Sequence, residues 1–320
     1  MEVLNERVGS MPEWCNLFKG TSENVDEDIL TDDVSERIKN TYNVLDTEER
    51  ARLRTQLGLT RQADVKTLKE LTQGLTEVNV LDIGCNDAAW IRDRVKHLNK
   101  PCRVVGVEID PAMSNISNVT FPEMLAICAD AESDDFVNVL HKKVPDDVKF
   151  DVITLSMILL HAKDAGKILR NMRTLLKPDG YLYIRDMNDG LTVSSPDPEG
   201  IVKRMLEISE RVPFTGCRHN GAEIYTMLKQ CGYTRIKSVP DSVDVTLELP
   251  NVSEYDLREF LFVTNFRYVK GDTDLAYVAD PTNFSEDCEY VHSNFEKLHH
   301  KFHETDYYYK MGTVVFTAQL

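Results

Sequence analysis

The segment Val80-Leu81-Asp82-Ile83-Gly84-Cys85-Asn86-Asp87-Ala88-Ala89-Trp90 narrows the fold of this chain more than any other stretch. A short apolar strand ends in an acid, passes through a tight turn of small residues and opens a helix. Such a unit builds a nucleotide-sized pocket at the carboxyl end of the first strand of a doubly wound α/β sheet. A second apolar run, Arg103-Val104-Val105-Gly106-Val107-Glu108, also ends in an acid. Two carboxylates placed this way suit a cofactor with an adenosine and an amino-acid moiety, and so point to an enzyme.

The surrounding sequence supports that architecture. From Val78 to about Glu248, apolar strands alternate with helical segments, the pattern of a parallel sheet with crossover helices. Strands are expected at Val78–Ile83, Arg103–Glu108, Met124–Ala129, Asp151–Leu155, Gly180–Asp186 and Tyr233–Val239, with a last one near Gly312–Ala318. Helices are expected at Ala165–Leu176, where Ile168, Leu169, Met172, Leu175 and Leu176 form one stripe, and at Ala222–Cys231. The fold class is α/β: a doubly wound, mostly parallel seven-stranded sheet. Residues 1–76 read as a helical N-terminal extension, with amphipathic signals at Ile38, Tyr42 and Leu45 and again at Val65, Leu68 and Leu71. Residues 77–249 read as the cofactor-binding core, 250–306 as a helical cap insertion, and 307–320 as a terminal strand returning to the core sheet.

Composition bounds the partners. The 37 basic and 53 acidic residues give a net charge of −16, which repels phosphate backbones and anionic lipids, so neither nucleic acid nor membrane is expected. Seven scattered cysteines without a Cys-x-x-Cys argue against a disulfide framework or a structural zinc site. No secretory signal and no spanning apolar run is seen, so a soluble cytoplasmic protein is expected. The sequence leaves the oligomeric state open.

In order and spacing, Asp82-x-Gly84-x-Asn86-x-Ala88, Glu108, Ala129-Asp130-Ala131-Glu132, Phe150 to His161, Leu175 to Ile184, and His219 to Tyr233 resemble the motifs of class I (Rossmann-like) S-adenosylmethionine-dependent methyltransferases of the small-molecule type. Asn86 and Ala88 replace two of that family's usual glycines. The resemblance implies S-adenosyl-L-methionine as cofactor, held by Asp82, Gly84, Cys85, Asn86, Glu108, Ile109, Asp130, Ala131, Ser156 and Met157. It implies Glu108 on the ribose hydroxyls, Asp130 on the adenine amine, and Ser156 and Met157 between cofactor and substrate. A nicotinamide dehydrogenase would want Gly-x-Gly-x-x-Gly here, and two of the three glycines are absent.

Methyl transfer to O, N or C of a metabolite needs a positioned nucleophile and, for O or C, a base. The catalytic candidates are His161, one turn beyond the fourth strand, and Asp186, at the end of the fifth. A metal-assisted mechanism is disfavoured because the fourth strand ends in Ser156 rather than an acid. Arg218 and His219 either bind an acidic substrate group or pair at the start of the next helix. Late in the chain His292, Glu296, His299 and His303 fall on one helical stripe beside Val291, Phe295, Leu298 and Phe302. A solvated face next to a core face is the commoner meaning, and no metal ligands are assigned. Two alternatives stay open: a protein or tRNA substrate, or a non-catalytic protein that binds the cofactor only as an interaction module.

Overall fold

β1 (Val78–Ile83) is buried along almost its whole length, as a central parallel strand must be when helices cover both faces. The computed structural model describes residues 47–212, 216–249 and 252–320, with side chains from Gln56 onward in the first helix. The signals at Ile38, Tyr42 and Leu45 lie outside the described residues.

β1 pairs in parallel with β2 (Cys102–Glu108) on one side and β4 (Phe150–Ser156) on the other. β3 (Leu125–Cys128) flanks β2, and β5 (Leu176–Met187) flanks β4. β10 (Thr313–Gln319) enters antiparallel between β5 and β7 (Thr234–Ser238). The order is β3-β2-β1-β4-β5-β10-β7, the expected seven-stranded, mostly parallel sheet. Between the strands run α1 (Thr47–Leu71) ahead of β1, then α2 (Ala89–Lys96), α3 (Pro111–Thr120), α4 (Phe136–His141), α5 (Ala165–Leu175), α6 (Ile201–Arg211) and α7 (Ile224–Gln230).

The boundary between α5 and β5 differs from expectation. Leu176 is already strand, and Lys177 to Gly180 form an irregularity within β5 rather than a free turn: Phe150 faces Leu176, but Val152 faces Tyr181. Gly180 is needed there because a Cβ would sit 2.8 Å from the Phe150 carbonyl oxygen.

One sheet face packs on α4, α5 and α7 through residues such as Phe136, Leu140, Leu169, Met172 and Leu228. The other packs on α1 and α2 through Leu68, Ile91 and Tyr183, with Trp90 half-buried among them. A third apolar cluster gathers α6 with three late helices, α8 (Glu254–Phe262), α9 (Tyr268–Ala279) and α10 (Pro281–Phe302). Asp280 caps α10 by accepting from the Asn283 amide, and Pro281 occupies its first turn. Tyr307 and Tyr309 are fully buried in this cluster. β9 (Tyr308–Met311) belongs to a small second sheet with β6 (Val193–Ser195) and β8 (Val243–Asp244). β6 and β8 are too short for a sequence pattern to reveal.

A buried charge cluster joins α1 to the sheet. Asp64 Oδ2 accepts from Arg94 Nε at 3.0 Å, Arg94 Nη2 at 2.8 Å and Thr60 Oγ1 at 2.7 Å. Its Oδ1 accepts from Tyr183 Oη at 2.6 Å and Arg185 Nε at 2.9 Å. Burial alone would raise the Asp64 pKa, but Arg185 and Arg94 hold it below the ordinary carboxylate value. Removing one member strands buried charge, so Asp64→Asn is expected to lower the unfolding free energy by about 3–5 kcal/mol. Urea unfolding measures this against Glu123→Gln, whose solvent-exposed pair with Arg92 should cost under ~1 kcal/mol.

Candidate active site

The turn after β1 is held in left-handed backbone at alternate positions: Gly84 at φ 68°, Asn86 at 51° and Ala88 at 60°. Glycine is required at the first, where a Cβ would collide with the Ile158 side chain. Asn86 accepts its conformation because asparagine tolerates the left-handed region. Ala88 is fully buried at the start of α2, where a larger side chain has no room. The Gly84 and Cys85 amides donate to the Val107 carbonyl at 2.8 and 3.0 Å, binding the turn to the end of β2.

Glu108 completes that junction. Its Oε2 accepts from the Asn86 amide at 2.8 Å and its Oε1 from the Asp110 amide at 3.1 Å. Ser117 Oγ donates to the Asn86 carbonyl at 2.6 Å, and Asp110 caps α3. Across the sheet, Asp82 Oδ1 accepts from Thr154 Oγ1 at 2.6 Å, the two residues being partners in the β1–β4 register. Burial raises the Asp82 pKa to about 7, a rise that the Thr154 bond opposes and Glu108 reinforces. Burial raises Glu108 too, against the pull of its amide donors. Cys85 is buried between these carboxylates, and its thiol is pushed far up by burial first, then by Glu108 and Asp82.

The neighbouring strand ends complete the rim. Beyond β3, Asp130 accepts from the Glu132 amide at 2.9 Å, and Ala131 is buried. Glu132 receives the Lys163 amide at 2.9 Å and so ties down the segment before α5. Ile109, half-buried, follows Glu108. Beyond β4, Ser156 is half-buried and Met157 turns left-handed at φ 58°, its amide bonded to the Arg185 carbonyl at 2.8 Å.

Asp82, Cys85, Glu108, Asp130 and Met157 all sit at the carboxyl ends of adjacent parallel strands, the position where such sheets bind ligands. Among the described residues no basic side chain is in hydrogen-bond contact with Asp82 or Glu108, so these two carboxylates are left without a charge partner at contact. A cofactor carrying an ammonium and a sulfonium supplies it, and the left-handed turn lets the backbone approach. The residues present fit S-adenosylmethionine.

The sequence model of one family, described as a methyltransferase domain, matches residues 47–238, more than half of the chain. The chain belongs to that methyltransferase domain family. It is 29% identical over 134 residues to a ubiquinone biosynthesis O-methyltransferase of Histophilus somni, covering 42% of this chain and 53% of that one. It is 28% identical over 127 residues to the protein of the same name in Glaesserella parasuis, covering 38% and 50%. The chain thus spans about half the length of the curated relatives it matches. Among solved structures, the YcgJ protein of Bacillus subtilis aligns at 14% identity with a TM-score of 0.47, covering 81% of this chain and 98% of that one. Membership agrees with the S-adenosylmethionine-dependent class expected from the motifs.

The two catalytic candidates occupy different surroundings. Asp186 is fully buried, and its oxygens accept from the Leu160 amide at 3.2 Å and the Met187 amide at 2.8 Å. Burial lifts its pKa to about 7 against those amides. It therefore holds the turn Leu159–His161 that presents His161. His161 itself is half-buried, and burial, with Arg218 adding, lowers its pKa to about 4. Arg218 forms a bidentate pair with Asp189, at 2.6 and 3.0 Å, and reaches Asn265 Oδ1 at 3.2 Å. His219 accepts from the Gly190 amide at 3.1 Å and pairs with Glu210.

Several contributors carried no motif signal. Thr154 and Ile158 lie inside a recognised segment, but only the fold shows that one bonds Asp82 and the other packs under Gly84. Glu132 stood beside Asp130 in the sequence, and the structure gives the two separate partners.

Asp82 favours its neutral form in the folded protein, where burial lifts its pKa to about 7 from an unfolded value of ~4. The unfolded chain therefore loses this proton first, and the group's contribution to stability declines as pH rises from about 4 to about 7, then levels. Asp82→Asn, which keeps an acceptor for Thr154, should gain stability relative to wild type across that window, reaching at most about 4 kcal/mol. Urea midpoints of both proteins without cofactor, taken from pH 4 to 8, measure the difference. A gain independent of pH would contradict the buried-carboxylate account.

Proposed function

We propose that this methyltransferase uses S-adenosylmethionine to methylate an oxygen of a small molecule. The observation that carries the reading is Glu108. Its two oxygens accept only backbone amides, those of Asn86 at 2.8 Å and Asp110 at 3.1 Å with the Ile109 amide beside them, and so keep acceptor capacity facing outward at the end of β2. A vicinal diol such as a ribose presents two donors that match them. Asp82 and Asp130 flank this carboxylate as further cofactor contacts. Ser156 and Met157, with Gly84 and Asn86, form the floor on the methionine side.

The bound cofactor supplies an activated methyl group, and the protein positions the acceptor. His161, neutral throughout the physiological range, is the acceptor for the substrate proton. So weak a base removes a proton only from an oxygen already losing electron density to carbon, so deprotonation accompanies methyl transfer. Asp186 acts as a positioning residue through the Leu160 amide. The matched relatives carry names of O-methyltransferases, which favours oxygen, and the net charge of −16 disfavours nucleic acid.

Residues 250–306 are read as the substrate cap. Their Phe262, Phe266 and Phe302 share an apolar cluster with Leu160 and Met187 from the strand-end segments. The described cysteines are all free, which favours the cytoplasm. None of the described helices is long and apolar enough to cross a membrane.

Isothermal titration with S-adenosylmethionine is expected to show one site in wild type and none in Glu108→Ala. With an accepted hydroxyl-bearing substrate, His161→Gln should lower kcat by roughly 10²–10⁴-fold while leaving cofactor affinity unchanged. Absence of binding by wild type would remove the reading. Unchanged kcat in His161→Gln would remove the histidine from it.

A further inference from the structure

The late histidine stripe gains a partner that its own sequence does not contain. α8 lies against α10 and brings Glu259 to the stripe. Glu259 Oε2 lies 2.7 Å from His299 Nε2 and 2.9 Å from His303 Nε2. One carboxylate oxygen and two imidazole nitrogens thus converge, all within 4.8 Å of one another. The rings are set by packing: His303 stacks on Tyr255 at 4.2 Å between centroids, and His299 leans on Phe262 at 4.7 Å. The side chains of Glu259, His299 and His303 are 40%, 31% and 17% exposed, so the cluster opens to solvent on one side.

We propose that Glu259, His299 and His303 bind a first-row divalent transition-metal ion of the zinc type, which clamps α8 to α10. Histidines at i and i+4 present their nitrogens to one point above the helix, and a carboxylate from the facing helix closes a three-ligand set. Imidazole-rich sets of this kind select zinc, cobalt, nickel or copper over magnesium and calcium. At metal–ligand lengths of ~2.0–2.2 Å, tetrahedral donors stand about 3.3 Å apart. Glu259 therefore parts from each histidine by roughly half an ångström to admit the ion, and the open side leaves the fourth position to water. The site is separate from the strand-end pocket and owes nothing to the cofactor reading. A neighbouring group, Asp274, Cys288 and His292, lies two turns back along α10 and is more exposed. It serves as the internal control.

The full chain, stripped with chelator, is dialysed against Zn²⁺ or Mg²⁺ at tens of micromolar, and its melting is followed with and without metal. Wild type and His292→Ala are expected to take up one zinc and melt at a higher temperature with it, and neither should take up magnesium. Glu259→Gln and His299→Ala should bind zinc more weakly by at least the roughly 10-fold that even outer-shell losses produce, and should show no zinc-dependent shift. Circular dichroism checks that each variant is folded, and His299→Gln replaces His299→Ala if the latter is not. No uptake by wild type, uptake that survives loss of both His299 and His303, or uptake lost with His292→Ala would each overturn the assignment.

Discussion

Asp64 is the point on which the rest of the molecule hangs. Its two oxygens take five donors from Thr60, Arg94, Tyr183 and Arg185, none of which has appreciable contact with solvent. α1 is thereby fixed both to α2, the helix that leaves the cofactor turn, and to β5, the strand that carries the far wall. Because alternate residues of a strand face opposite ways, Tyr183 and Arg185 meet Asp64 while Asp186 faces the other side. There it holds the turn bearing His161. One carboxylate behind the sheet and one in front thus hold β5, and the position of His161, the proposed base, depends on the second.

The front of the sheet is arranged by an opposite principle. Behind it, Asp64 is balanced by Arg94 and Arg185, which hold its carboxyl below the ordinary value. In front, Asp82 and Glu108 are buried with hydroxyl and amide donors, and burial drives both upward. Donors of that strength hold a carboxylate in place without fully compensating its charge. On the proposed reading, the positively charged cofactor completes the balance.

The core of this arrangement was legible in the sequence because it depends on local pattern. Strand ends, the left-handed turn and the acid spacing all lie within short windows, so Asp82, Gly84, Glu108 and Asp130 could be named from residue order alone. Elements fixed by distant partners could not. Arg185 stood in an apolar strand, a position that demands a buried carboxylate, but nothing indicated that it would come from Asp64. Glu259 likewise had no visible link to a histidine stripe forty residues later. β6 and β8 exist only because β9 lies between them, and such short strands leave no periodic trace.

The proposed cap, residues 250–306, is built differently from the strand ends. The cofactor wall is made of backbone turns whose φ values admit few residues. The late helices are joined to the core through side chains: Arg218 links Asp189 to Asn265, and Asn265 sits in a π-helical turn, Val263–Arg267, between α8 and α9. A π turn places one extra residue in the helix and swings its neighbours around the axis. That widening lets Asn265 bond the Leu261 carbonyl at 2.7 Å and still face Arg218. Removing the extra residue would restore regular helix and rotate Asn265 away, loosening the cap from the loop before α7 while leaving the strand ends intact. On the proposed reading, substitutions in residues 250–306 therefore reshape the substrate side without disturbing the turns at the strand ends.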